Sequence, residues 1–74
     1  MMQVNTRLLK AKMVERGISG DDLAKMIGIN PSTFYRKMKT GGNSFTVAEM
    51  YAIVDALELT DDEAVLIFLQ RKLA

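Results

Sequence analysis

The chain reads as an all-α domain of five short helices. Three observations predict this. Apolar residues recur three and four apart, and no stretch of the 74 residues alternates as a strand would. Helix-opening signals stand at Asn30-Pro31, at Thr46 with Glu49, and at Thr60 with Glu63. Gly17 and Gly28 sit where helices should stop.

Asn5 or Thr6 can cap the first helix, which sets Leu9 and Met13 on one face and basic residues on the other. Gly17 ends it, and Ile18 tucks toward the core. The stretch SGDDLAKMIG opens the second helix. Asp21 and Asp22 occupy its first turn, where the helix dipole favours acid. Leu23, Ala24 and Ile27 form its buried edge, and Gly28 is placed to be a left-handed stop. Asn30 caps the third helix, and Pro31 fits a first turn that needs no N–H. Phe34 and Met38, four apart, face inward together.

The sequence TGGNS at 40–44 is a loop. Two capping boxes open the fourth and fifth helices. Met50, Ile53, Val54 and Leu57 give the fourth an inward stripe. In the fifth, five consecutive apolar residues from Val65 to Leu69 cover every side of a helix. One face can enter the core, and the rest needs another partner or stays wet.

The totals describe one domain, residues 1–74, that is 49% hydrophobic and therefore globular. The chain has no cysteine and no histidine, so disulfides, thiolate or imidazole metal sites and histidine acid–base chemistry are excluded. With no glycine-rich phosphate loop and no core large enough for a pocket, an enzyme with a cofactor or a small-molecule substrate is not expected. No apolar run reaches 18 residues, and charges interrupt every apolar run near the N-terminus, so neither a membrane span nor a signal peptide is expected. Cysteine-free composition fits a reducing cytoplasm.

A net charge of +1 conceals an asymmetry: residues 1–45 sum to +5 and residues 46–74 to −4. A basic half can meet phosphates, while an acidic half is kept from them. A plain solvated distribution of charge is the alternative.

Residues 20–39 carry the most informative spacing. Ala24 stands where two helices cross closely. Gly28 follows in the turn, Ile29 plugs the space between the helices, and Phe34 packs the second onto the first. This is the helix-turn-helix pattern, whose second helix enters the DNA major groove.

Within it, LAKMIGINPSTFYRKM resembles the bacteriophage repressor and Cro family of lambda-repressor-like domains. STFYRK at 32–37, FTVAEMYAIVDALELT at 45–60 and IF at 67–68 extend the resemblance over nearly the whole chain. It implies a compact five-helix lambda-repressor-like domain that binds double-stranded operator DNA as a homodimer and regulates transcription. The setting it implies is the cytoplasm of a bacterial host, from phage or prophage. With no long C-terminal oligomerisation or cleavage domain, the expectation leans toward a Cro-like protein.

By position, the resemblance places Ser32, Thr33, Tyr35, Arg36 and Lys39 in the groove, once Phe34 and Met38 turn inward. Pro31 departs from the pattern, since many relatives carry a base-reading glutamine there, so specificity shifts to the residues after it. Arg36 can fork onto guanine O6 and N7. Ser32 and Thr33 can reach phosphate or base edges, and Tyr35 a sugar, a thymine methyl or a phosphate. Lys37, Asn43 and Ser44, with Lys10 and Lys12 from the first helix, are expected at phosphates.

The bland alternatives are a solvated basic face, a tyrosine packed on the rim, and hydroxyls that only initiate the helix. The surplus apolar residues Ile67, Phe68, Leu69 and Leu73 are the expected two-fold contact, unless they complete the monomer core. A helical protein-interaction module that keeps this fold without reading DNA is the competing function.

Overall fold

The computed structural model describes residues 4–42 and 44–69. Its helices are α1 (Thr6–Arg16), α2 (Gly20–Ile27), α3 (Pro31–Lys39), α4 (Val47–Leu57) and α5 (Asp61–Phe68), and the described residues hold no strand. α2 packs against both α3 and α4, while α1 packs against α4 and α5.

Each helix starts at a side chain that satisfies an otherwise orphaned backbone N–H. Asn5 Oδ1 accepts from Leu8 N–H at 3.0 Å, Ser19 Oγ from Asp22 N–H at 3.1 Å, and Asn30 Oδ1 from Ser32 N–H at 2.9 Å. α4 and α5 carry complete capping boxes. Thr46 and Glu49 exchange bonds of 2.8 and 3.0 Å, and Thr60 and Glu63 exchange bonds of 2.9 and 3.1 Å. Caps of this kind contribute about 1 kcal/mol each.

Gly17 ends α1 in the left-handed region, as expected. α4 instead stops on Glu58, whose φ is 51°. A left-handed side chain costs roughly 1–2 kcal/mol. It is offset here by what the turn accomplishes: Leu59 N–H donates to Val54 O at 3.0 Å, and the Leu59 side chain enters the core.

Every helix supplies at least one wholly buried large side chain. They are Leu9, Leu23, Phe34, Ile53, Leu57 and Ile67. Val4, Phe45 and Leu59, from segments between or before helices, close the remaining gaps. No polar or charged residue is buried among the described residues.

The fifth helix corrects the expected two-fold contact. Ile67 is 0% and Phe68 6% exposed, because α5 turns this edge onto the monomer core. The Ile67 carbonyl also accepts Asn5 N–H at 2.7 Å, which ties the start of the chain to α5. The surplus apolar surface lies on Val65, Leu66 and Leu69, each about half exposed. Leu73 lies outside the described residues.

A second tie joins α1 to α5. The Lys12 ammonium pairs with both Glu63 and Glu15. Hydrogen bonds from Lys12 and from the Thr60 backbone hold the Glu63 carboxyl down to about 2, from an ordinary 4.5. A depressed carboxyl contributes stability that is complete above the unfolded value and is lost as pH falls through the folded one. Wild-type stability therefore drops between pH 4.5 and about 2. Glu63→Gln keeps a capping side chain but loses the charge. Urea unfolding should show wild type more stable than Glu63→Gln at neutral pH, with the gap closing across that acid window. A gap independent of pH would remove the ion pair from the account. Phe68→Ala should cost about 3–5 kcal/mol, as truncation of a core aromatic does.

Candidate nucleic-acid interface

The α2–turn–α3 unit is built from small residues. Gly28 has φ 80°, the left-handed conformation that side chains resist, and a Cβ there would meet nothing. Backbone angle, not space, is its constraint. Ile29 N–H then donates to Ala24 O at 2.9 Å, and Asn30 caps α3 directly afterwards. Ala24 is wholly buried and Ile29 packs against the core, as their spacing predicts.

Gly20, four residues before Ala24, is the opposite case. A Cβ there would stand 2.7 Å from two ring carbons of Tyr35. The ring lies over the first turn of α2, edge-on to Phe34 with centroids 5.7 Å apart, and its hydroxyl donates to Asp21 Oδ1 at 3.0 Å. That bond, and to a lesser degree partial burial, pushes the Tyr35 phenol above its ordinary 10.0. Tyr35 is half exposed, so it reaches solvent while its hydroxyl proton is held by α2. The sequence reading missed Gly20 and Asp21 as its partners. A glycine inside a first helical turn, where it weakens the helix, was the available signal.

With Phe34 and Met38 buried, α3 presents Ser32, Arg36 and Lys39 along one exposed stripe at helical spacing. Thr33 is half-buried on one flank and Tyr35 lies on the other. Arg36 and Lys39 take part in no ion pair among the described residues. Ser32 is more constrained than expected. Its hydroxyl donates to Asn30 Oδ1 at 2.7 Å, which leaves its oxygen as an acceptor.

Two expected phosphate contacts need correction. Lys37 Nζ lies 2.7 Å from Glu49 Oε1, with both side chains only 14% exposed, so its charge is spent inside the protein. Burial pushes the Glu49 carboxyl up, but hydrogen bonds from Lys37 and Thr46 together outweigh this and hold it lowered. Lys12 is likewise engaged by Glu63 and Glu15. Lys10 and Ser44 are exposed, and Asn43 lies outside the described residues.

A second surface feature lies on α4 and α5. An apolar groove of about 340 Å³ is lined by Val47, Met50, Tyr51, Val54, Val65 and Leu69 among others. Val47 and Tyr51 are about two-thirds exposed, although the sequence stripe pointed only to the inward face of α4. Among the described residues there is no group of three or more acidic side chains arranged for a metal, and no helix long and apolar enough to cross a membrane.

A family model described as the Cro/C1-type HTH DNA-binding domain matches residues 8–64. The match takes in all of α2, α3 and α4 and ends within α5. Comparison with curated proteins and with solved structures gives no match.

The Tyr35 contact can be read directly by alkaline titration of phenolate absorbance in a Tyr51→Phe background. The Tyr35 phenol should titrate above its ordinary value, and Asp21→Ala or Gly20→Ala should bring it back. Identical titrations with and without these changes would dissolve the tie between α2 and α3.

Proposed function

Because the chain belongs to the Cro/C1-type helix-turn-helix DNA-binding domain family, we propose that it is a transcription regulator that reads a specific duplex sequence with α3. The carrying observation is the exposed stripe of Ser32, Arg36 and Lys39, whose two cations take part in no ion pair among the described residues while the neighbouring Lys37 is paired with Glu49. Arg36 forks onto guanine in the major groove, a contact worth about 1–3 kcal/mol of discrimination. Ser32 offers its oxygen to a base amino group. Thr33 and Lys39 reach base or backbone at the edges of the stripe, and the Tyr35 ring contacts sugar or a thymine methyl without giving up its bond to Asp21. Lys10, Asn43 and Ser44 hold phosphates.

The rest of the proposal is a homodimer on a palindromic operator, with half-sites about 34–36 Å apart, in the manner of a phage Cro-type protein in the bacterial cytoplasm. One copy of α3 makes few contacts, and a second copy supplies the remainder. The groove between α4 and α5, with Val65, Leu66 and Leu69 beside it, is the apolar surface that favours self-association. It takes over the role first assigned to Ile67 and Phe68. The same groove also favours the competing reading, a protein-interaction module.

Selection of bound duplexes from a random library at near-physiological salt should enrich a palindrome. Binding should weaken steeply with added salt. Arg36→Ala should lose about 1–3 kcal/mol and relax preference at one base position per half-site. Val65→Asp with Leu69→Asp should leave the fold intact and convert a dimer to a monomer by sedimentation. Failure of folded wild type to enrich any sequence would overturn DNA reading and turn attention to a protein partner in the groove.

A further inference from the structure

We propose that Lys37 and Glu49 are a positioning pair that fixes how α3 is presented to duplex DNA, so that Lys37 acts on recognition without touching a phosphate. The proposal rests on the DNA-reading function above and deepens it.

The Lys37 side chain is half-buried between α3 and α4. Its ammonium lies 2.7 Å from Glu49 Oε1 and 5.8 Å from the centroid of the Phe45 ring. Phe45 is itself buried and packs at 5.9 Å against Phe34 of α3. The same Glu49 oxygen accepts the Thr46 N–H at 2.8 Å, so one carboxylate both caps α4 and holds α3. The backbone of residue 37 is anchored as well. Its carbonyl accepts Gly42 N–H at 2.8 Å and Thr40 Oγ1 at 3.1 Å.

Moving this ammonium to a DNA phosphate would leave the half-buried Glu49 carboxylate with Thr46 as its remaining partner, which disfavours the exchange. The pair therefore persists when DNA binds. Tyr35 and Lys37 flank Arg36 on either side of the helix, the first tied to α2 and the second to α4. Together they set the rotation of α3 about its own axis, and with it the aim of Arg36.

The two possible roles of Lys37 respond oppositely to loss of Glu49. In the full chain, Lys37→Met, Glu49→Gln and the double variant Lys37→Met/Glu49→Met would be compared with wild type, each first checked for cooperative thermal unfolding. Glu49→Gln keeps the cap of α4, which guards the comparison if Lys37→Met folds poorly. Glu49→Gln is expected to weaken binding to the selected duplex and to lower its preference over random duplex, even though it frees a cation. Lys37→Met should do the same with little change in the slope of log K against log salt. The double variant should regain part of the lost preference, since an apolar pair can also hold the helix.

A phosphate contact predicts the reverse. Glu49→Gln would tighten binding, and Lys37→Met would reduce the slope by about one with uniform loss across sequences. That result overturns the proposal. If wild type enriches no duplex, the DNA reading falls and the pair is judged on the free protein. Amide exchange at Thr40 and Gly42 should then quicken several-fold in both single variants, and unchanged exchange overturns the positioning role.

Discussion

The close approach of α3 to α2 is the constraint on which the rest depends. An eight-residue helix must pack against two neighbours, and α2 does so by keeping Gly20 and Ala24 on the face that meets α3. Leu23 beside them is wholly buried in the core. Extra carbon at Gly20 would displace the Tyr35 ring from its seat on α2. The left-handed turn at Gly28 then brings Asn30 into position as a cap within two residues. The outward stripe of α3 is what remains once Phe34, Met38 and the Tyr35 ring have been committed to this contact.

The polar joints follow one rule. Both glutamates that close capping boxes, Glu49 and Glu63, also accept a lysine from another helix. Glu49 takes Lys37 of α3, and Glu63 takes Lys12 of α1. A capping carboxylate is already ordered by its own helix, so a lysine that joins it orders only one further side chain. That lowers the entropic cost that makes most surface ion pairs weak. One joint links the successive helices α3 and α4, the other the distant helices α1 and α5, and no charge needs burying in the core.

The same rule explains what the sequence could and could not disclose. Caps, stops and the helix-turn-helix spacing are local, and they were legible because each signal lies within four residues of its effect. Asn5, Asn30-Pro31, Thr46 with Glu49, and Thr60 with Glu63 all act where they stand. The ion pairs of the lysines expected at phosphates are a non-local matter. The basic and acidic halves look separate along the chain, yet Lys12 and Lys37 from one half are neutralised by Glu63 and Glu49 from the other. The apolar run from Val65 to Leu69 posed a similar problem. Its inward edge is chosen by where α1, α4 and the Asn5 N–H lie, which periodicity within α5 cannot reveal. Glu58 in a left-handed stop gave no signal, because glycine is the residue that advertises one. Ser32, Thr33, Arg36 and Lys39 were reachable by elimination, since fixing Phe34 and Met38 inward leaves them exposed or at the edge.

Neutralising Lys12 and Lys37 has a consequence for recognition. On the DNA-reading proposal, every cation paired with a carboxylate of its own chain is one fewer released counterion per copy, so attraction to arbitrary sequence weakens. Contacts to bases are unaffected by that loss. A domain with few phosphate contacts and an accurately aimed Arg36 therefore binds any duplex more weakly but draws a larger share of its binding energy from sequence. In the proposed homodimer the remaining affinity comes from repetition, and the apolar groove on α4 and α5 is lined by no residue of the α3 stripe. On that proposal, weak general attraction, accurate aim and pairing of copies follow from one arrangement, in which lysines hold the helix and not the DNA.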